Sequence, residues 1–529
     1  MTSKHPQLST FANMMNKYIL IIISLAVTPA FAQDSLMNRG KYIYLDTKAL
    51  WHNTYNAAGL GLDMTANHGI ANFDYSYNGG DYHRVQEGTS THNLKFFTER
   101  FQKISKSLYG YGKFDFNNGR TKDRAWADVI RPYNSNPYFS GSSVFGNYDF
   151  QNINLTAAIG TTRIGKWNFG GRLDYNLGDL SRLRDPRSRA ELLEYKLTPS
   201  AIYSFGNSSI GLAAWYNRRK EKIQNVTTVQ TDPTLKYYLM SGLENANGTI
   251  GGYGSFSREW VNHNFGTEIS YGYKGYGFNS LNTISIQRGS ESVLGTYKYS
   301  PGKYYNYIYG LQSQNRFICG KIINEFDFKA SYKEGFADEY RQKLIINTDS
   351  ATGFNSYRYE TQIKFNKRYQ IRVFGLDAHY RMSFTEGDAV FAYMGLKVNY
   401  KTVSNKYLLN TSELKYGRLN IALEDGMNFC NTGFGYAFSA GYSFSTRNSI
   451  NLANNTNEYA QGVLLSDMKY YAVDYGFVHG ELIYERPIKI KGTTSNWFAK
   501  VYGDYLKTKK YENSAYNKYT LGVSVGIIY

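Results

Sequence analysis

The chain has 529 residues, of which 50 are Gly, only 9 are Pro and 17% are aromatic, a mixture that favours strands and is poor in helix signals. Its two cysteines, Cys319 and Cys430, exclude a disulfide framework for a protein of this size and are expected to be free. The formal charge of +18 suits an anionic partner, either nucleic acid or the sugars and phosphates of a membrane surface, and charge alone does not choose between them.

Lys17 precedes the largely apolar run 18–27, which is followed by Thr28-Pro29-Ala30-Phe31-Ala32. A basic start, a short apolar core and an A-x-A site before Gln33 identify residues 1–32 as a secretory signal peptide, with Met15 an alternative start. The run falls well short of the roughly 20 residues that a spanning helix needs. Gln33 at the cleavage point, rather than Cys, gives no sign of a lipoprotein anchor. The mean hydropathy of −0.49 would fit a soluble protein. A transmembrane barrel, however, spreads its apolar residues over every second position and keeps its windowed hydropathy low. Export turns the positive charge towards outer-membrane lipid and lipopolysaccharide, and no nucleic-acid partner is expected.

Residues 33–68 precede the first convincing strand. Within them, Ala49–Ala58 is predicted as a short helix with Asp46 or Thr47 near its N-cap and Gly59 just past its end. The segment is too short for a domain yet carries apolar surface, and a large barrel leaves a lumen that must be filled or controlled. Trp51, Asn56, Gly59 and Leu60 are therefore candidate plug residues.

From about residue 69 to 529 the chain alternates with period two. Trp167, Phe169, Gly171, Leu173, Tyr175 and Leu177 share one face, opposite Asn168, Gly170, Arg172, Asp174 and Asn176. The pattern recurs over 193–205 and over 374–384, where Phe374, Leu376, Ala378, Tyr380, Met382 and Phe384 oppose Asp377, His379, Arg381 and Ser383. Such runs exceed the 5–6 residues usual in a soluble sandwich and match the length of tilted transmembrane strands. Short turns near 162–166, 206–208, 274–277 and 319–321 alternate with long polar stretches such as 117–146 and 218–247. At roughly 25–30 residues per strand and connection, the pattern predicts an all-β transmembrane antiparallel barrel of about 16 strands, in the range 14–18. Glycine–aromatic strings such as Tyr109-Gly110-Tyr111-Gly112 lack the lysine of a phosphate loop and belong to the wall and its aromatic girdle.

The last strand places Tyr519, Leu521, Val523, Val525, Ile527 and Tyr529 on one face. It resembles the C-terminal signal of outer-membrane barrels, which implies recognition by the barrel-insertion machinery through Tyr529. The Asn56-Ala57-Ala58-Gly59-Leu60 run resembles the Asn-Pro-Ala-Gly-Leu element in the hatch of fatty-acid-transporter-type barrels, with Ala57 in place of the proline. Together with Arg182-Leu183-Arg184-Asp185-Pro186-Arg187-Ser188-Arg189, these features resemble an uncharacterised family of Bacteroidota outer-membrane barrels. That resemblance implies an accessory of a TonB-dependent uptake system. A TonB-dependent receptor itself is set aside, because residues 33–68 are too few for its plug domain.

Arg182, Arg184, Arg187 and Arg189, with Asp185, read either as an anion-binding collar, since guanidinium groups fork onto carboxylate and phosphate, or as a salt-bridged loop. Arg172, Asp174, Asp377, His379 and Arg381 are expected to line the lumen. A two-residue turn at Glu87-Gly88 would set His83 and His92 opposite each other as a weak candidate metal pair, with a polar hairpin tip as the plainer reading. None of the histidines sits in a hydrolase or metalloprotease motif, so no catalytic residue and no cofactor is expected. The expected function is a transport-linked channel or uptake accessory occluded by the N-terminal segment; the rivals are a sealed structural barrel and a surface enzyme.

Overall fold

Alternating apolar and polar residues give each strand one face for an apolar exterior and one for a polar interior, and a sheet of such strands removes its edges by closing on itself. The computed structural model describes residues 38–529 apart from 64–65, 134, 225, 230–233, 251–255, 430–431 and 491–492; the predicted leader and Cys430 fall outside the described residues. In chain order the strands are β1 (His68–Gly80), β2 (Ser90–Lys103), β3 (Leu108–Arg124), β4 (Ser140–Ser142), β5 (Gly146–Thr161), β6 (Trp167–Arg182), β7 (Arg189–Phe205), β8 (Ser208–Gln224), β9 (Lys236–Met240), β10 (Ala246–Ile250) and β11 (Ser257–Gly275). They continue as β12 (Phe278–Gly295), β13 (Lys303–Cys319), β14 (Ile322–Thr348), β15 (Asn355–Glu386), β16 (Ala389–Tyr407), β17 (Ser412–Phe429), β18 (Phe434–Asn451), β19 (Tyr475–Ile490), β20 (Thr493–Thr508) and β21 (Asn517–Ile528).

Eighteen of these form one antiparallel sheet, closed where β1 pairs with both β2 and β21. The expectation of about sixteen was low. Turns of two residues at 206–207, 276–277, 320–321 and 387–388 take less chain than the assumed repeat and leave room for two more strands. One mouth carries these short turns. The other carries the long connections 125–145, 225–256 and 452–474, and beyond it project the extended hairpin arms of β14 and β15, 27 and 32 residues long.

The outer wall is apolar, with Leu482 and Leu423 68% and 66% exposed among many like them. Near the short turns, outward rings touch across strands: Trp167 lies 4.9 Å from Tyr203, Phe278 4.6 Å from Phe317 and Phe434 4.7 Å from Tyr484. No helix among the described residues is long and apolar enough to cross a membrane; the strands supply the apolar surface. Cys319 is free and exposed.

Candidate functional site: a lumen filled from both mouths

The N-terminal segment does not adopt the predicted helix over Ala49–Ala58. Its helix is Arg39–Lys48, capped by Asn38, whose side chain accepts from the Lys41 amide at 2.8 Å. Beyond it come single 3-10 turns at Trp51–Asn53 and Ala57–Gly59 and one α-turn at Leu60–Asp63. The breaks fall at Thr54 and Asn56, which bond locally: Thr54 Oγ1 donates to the Trp51 carbonyl at 2.8 Å, and Asn56 Oδ1 accepts from the Ala58 amide at 3.1 Å. Such side-chain bonds compete with a continuous helix.

The segment lies inside the barrel at the short-turn mouth, bonded to strands on opposite sides. Arg39 pairs with Glu481 on β19 at 2.8 Å, and Tyr42 donates to Glu99 on β2. Across the lumen, Gln314 on β13 donates to the Leu50 carbonyl at 3.0 Å and accepts from Asn53, while the Tyr55 amide donates to Glu268 on β11 at 3.1 Å. Asn56 Nδ2 reaches the wall carbonyls of Ala201 and Leu212. Two guanidinium groups, buried Arg316 and half-buried Arg381, hold Thr47: Arg316 donates to its carbonyl at 2.9 Å and Arg381 to its hydroxyl at 3.2 Å, and both pair with Glu325.

Close approach is made by glycines. Inward-facing Gly160, Gly170, Gly211 and Gly272 leave gaps in the wall: a Cβ on Gly170 would stand 2.2 Å from the Ala58 amide, and one on Gly272 would stand 3.1 Å from the Trp51 indole. Gly59 is itself pressed under Trp51, where a Cβ would meet the indole at 2.5 Å. Trp51 is thereby buried with Leu50, Ala58, Ile202 and Leu281, and Leu60 with Ala57, Phe101, Tyr111 and Ala158. Asp63 accepts from the His52 amide at 2.9 Å, yet burial outweighs that bond and pushes its carboxyl up to about 8. Burial likewise raises Asp46 and lowers His52.

The other expected lumen residues form ion pairs and hydrogen bonds on the inward face. Arg172 pairs with Asp174 at 2.8 Å and reaches the Thr54 carbonyl at 3.5 Å; His379 contacts Glu424, which also takes Lys397; and Asp377 accepts from Asn399. The arginine cluster sits away from these, at the long-loop mouth between β6 and β7. Arg182 is buried and donates to the Tyr148 hydroxyl and to the Val144 and Arg184 carbonyls. Arg184 donates to the Phe145 carbonyl, Arg187 pairs with Asp185, and Arg189 pairs with Asp179. Its groups are engaged within the protein, as in a salt-bridged loop.

His83 and His92 do not face each other. The hairpin turns over 81–89, and His92 stands opposite Tyr77 and bonds the Tyr75 hydroxyl at 2.9 Å, while His83 bonds the neighbouring Arg84 carbonyl. The two-residue turn fails because this loop is anchored elsewhere: the Val85 amide donates to Asp467 and the Gln86 side chain to the Trp126 carbonyl. Among the described residues, no group of three or more His, Cys, Asp or Glu is placed to hold a metal.

A second filling of the lumen was not foreseen from sequence. The long connections fold inward, and β4, β9 and β10 form a small sheet within the mouth. Trp126, Tyr138, Tyr237, Met240, Tyr459 and Val463 pack there against inward wall residues such as Tyr148, Trp260, Tyr304 and Ile371. Asp128 accepts from the Tyr148 and Ser188 hydroxyls, both at 2.6 Å, and Glu221 accepts from the Ile130 amide at 2.7 Å. A residual cavity of about 80 Å³ remains among Tyr133, Tyr369, Tyr459 and Asp467. The legible signal was the aromatic content of stretches otherwise read as polar loops, such as Tyr237-Tyr238.

These features define a large closed antiparallel barrel with an apolar outer wall and a polar lumen occupied from both mouths. Residues 57–529 match the family described as a family of unknown function (DUF6850), and the chain belongs to that family. No curated protein matches by sequence. Similar solved structures include the outer membrane transporter YddB from Escherichia coli, at 8% identity over 87% of this chain and 80% of that one, TM-score 0.41. Others are the ferric yersiniabactin uptake receptor FyuA from Yersinia pestis, at 8% identity over 87% and 80%, TM-score 0.36, and pyoverdine-bound FpvA from Pseudomonas aeruginosa, at 10% over 86% and 71%, TM-score 0.38.

Proposed function

We propose that the protein is an integral outer-membrane barrel of a transport system, with residues 1–32 its export leader, 33–68 a lumenal gate and 69–529 the barrel. The observation that carries this reading is the seating of residues 38–63: a segment cradled by wall glycines, yet held largely by hydrogen bonds and ion pairs from strands around the mouth. Polar contacts of this kind exchange for water at modest net cost, which suits an element that is released and re-docked. Its neighbours would be outer-membrane lipid and lipopolysaccharide, the insertion machinery at the strand ending in Tyr529, and a TonB-dependent receptor for which it serves as accessory.

The inward-folded connections favour a second reading, a sealed structural barrel, because their core is aromatic and its buried Asp128 and Glu221 are hydrogen-bonded. Planar-bilayer conductance separates the two. The transport reading expects a closed full-length protein and discrete openings once residues 33–66 are deleted; a deletion variant that inserts but stays silent, even with the connection 225–256 shortened, favours the sealed barrel.

A further inference from the structure

On the outer wall, a groove of about 1100 Å³ runs over β2, β3, β5, β6 and β7 near the short turns. The strand register puts the side chains of its floor on the outward face: Gly112 stands beside Ala157, which stands beside Leu173, in the same parity as exposed Phe169 and Leu197. The floor is low because side chains are missing. A Cβ on Gly112 or on Gly171 would meet nothing within 4 Å, whereas elsewhere at this height the wall carries touching aromatic rings. Phe114, Ile159 and Leu197 make the groove apolar.

Its end at the short turns is basic. Arg100 lines it, tied through Nε to Gln102 and lying 5.1 Å from the Tyr529 ring centroid, with no carboxylate paired to it among the described residues. Lys103 also lines it, and the flanking turns carry Lys106, Arg163 and Lys166; no Asp or Glu occurs in 100–114 or 157–173. An apolar trough facing hydrocarbon and ending in unopposed cations at headgroup depth matches an amphiphile with acyl chains and an anionic phosphate.

We infer that this groove is a binding site for one anionic phospholipid of the leaflet on the short-turn side, its chain lying over Gly112 and Gly171 and its phosphate bonded by Arg100. The inference rests on the outer-membrane reading above.

The test is native mass spectrometry of the full-length protein in mild detergent, titrated with phosphatidylglycerol or phosphatidylcholine, with heat-modifiable mobility run beside it to report barrel assembly. The parent should retain one phosphatidylglycerol and prefer it over phosphatidylcholine. Arg100→Gln should weaken phosphatidylglycerol about tenfold, as for loss of one charge-assisted contact, and narrow its preference over phosphatidylcholine. Gly112→Leu with Gly171→Leu, both placed in open space on a lipid-facing wall, should assemble normally and lose retention. Equal retention by the parent and both variants overturns the site. So does unchanged lipid retention in the filled variant coupled to loss of a co-purifying outer-membrane protein, which would assign the groove to a protein partner. A barrel that fails to become heat-modifiable in the parent counts against the outer-membrane reading instead.

Discussion

Trp51 and Gly211 fit as ring and gap: a Cβ on Gly211 would stand 2.8 Å from the indole Cζ3 of Trp51. The segment thus depends on both a large residue it carries and a small one the wall withholds. Trp51→Ala should weaken docking by roughly 3–5 kcal/mol, the usual cost of emptying a buried aromatic site, and Gly211→Leu should expel the segment without unfolding the barrel. The readout is thiol labelling of a cysteine at Thr54, a buried position, in a background without Cys319 and Cys430. Rapid labelling in the otherwise unaltered segment would show that it is not docked at all.

Docking should also depend on pH through Asp63. Burial raises its carboxyl to about 8 from an ordinary 3.8, so the docked state holds a proton that the released state gives up. The sign follows: its contribution to docking is full below about pH 4, falls as pH rises, and is lost by about pH 8. Asp46 shifts the same way, while His52, lowered by burial, opposes them below its ordinary value. Labelling at Thr54 should therefore rise from pH 5 to pH 8.5 more steeply in the parent than in Asp63→Asn. Identical pH profiles would refute the assignment.

The faces of the strands were legible because a period of two admits only two registers, and residues such as Phe169 and Arg172 disagree strongly about solvent. The N-terminal helix was misplaced because Thr54 and Asn56, which stop it, look like ordinary helix-tolerated polar residues until their local bonds are seen. The inward fold of the long connections was illegible for a different reason. Trp126, Tyr238 and Tyr459 are far apart in sequence and meet only once the barrel sets the connections after β3, β8 and β18 around one mouth, a purely tertiary contact.

The terminal strand closes two ladders at once, with β1 and with β20, and Tyr529 exchanges both backbone hydrogen bonds with Gly69. Deleting Lys518–Tyr529 should abolish heat-modifiable, membrane-inserted protein altogether, since the barrel would retain two unpaired edges. Within an intact barrel, Leu173→Arg should cost about 2–4 kcal/mol if it sits near the bilayer midplane, whereas Asn176→Ser should cost little. Equal sensitivity of the two positions in urea unfolding would mean the face assignment is wrong.

Asp128 is the point at which the filling of the long-loop mouth is fastened to the wall, and it is 1% exposed. Its two oxygens take the hydroxyls of Tyr148 on β5 and of Ser188 just before β7, and the same Tyr148 hydroxyl also receives Arg182 at 2.6 Å. Asp128→Ala would therefore leave two buried hydroxyls without their acceptor, a penalty of about 1–3 kcal/mol for each unsatisfied group. The loss falls on the connection 125–145, while the ladder β3–β5 keeps its own hydrogen bonds. Limited proteolysis should consequently cut within that connection in the variant and not in the parent, with the barrel still heat-modifiable. Because the N-terminal segment is anchored at the opposite mouth, through Arg316, Gln314 and Glu268, the change should leave labelling at Thr54 unaltered. Asp128→Ala alone should stay closed and conduct only when residues 33–66 are deleted as well, a deletion that opens the otherwise unaltered barrel too. Conductance from Asp128→Ala alone would mean that the N-terminal segment does not close the lumen.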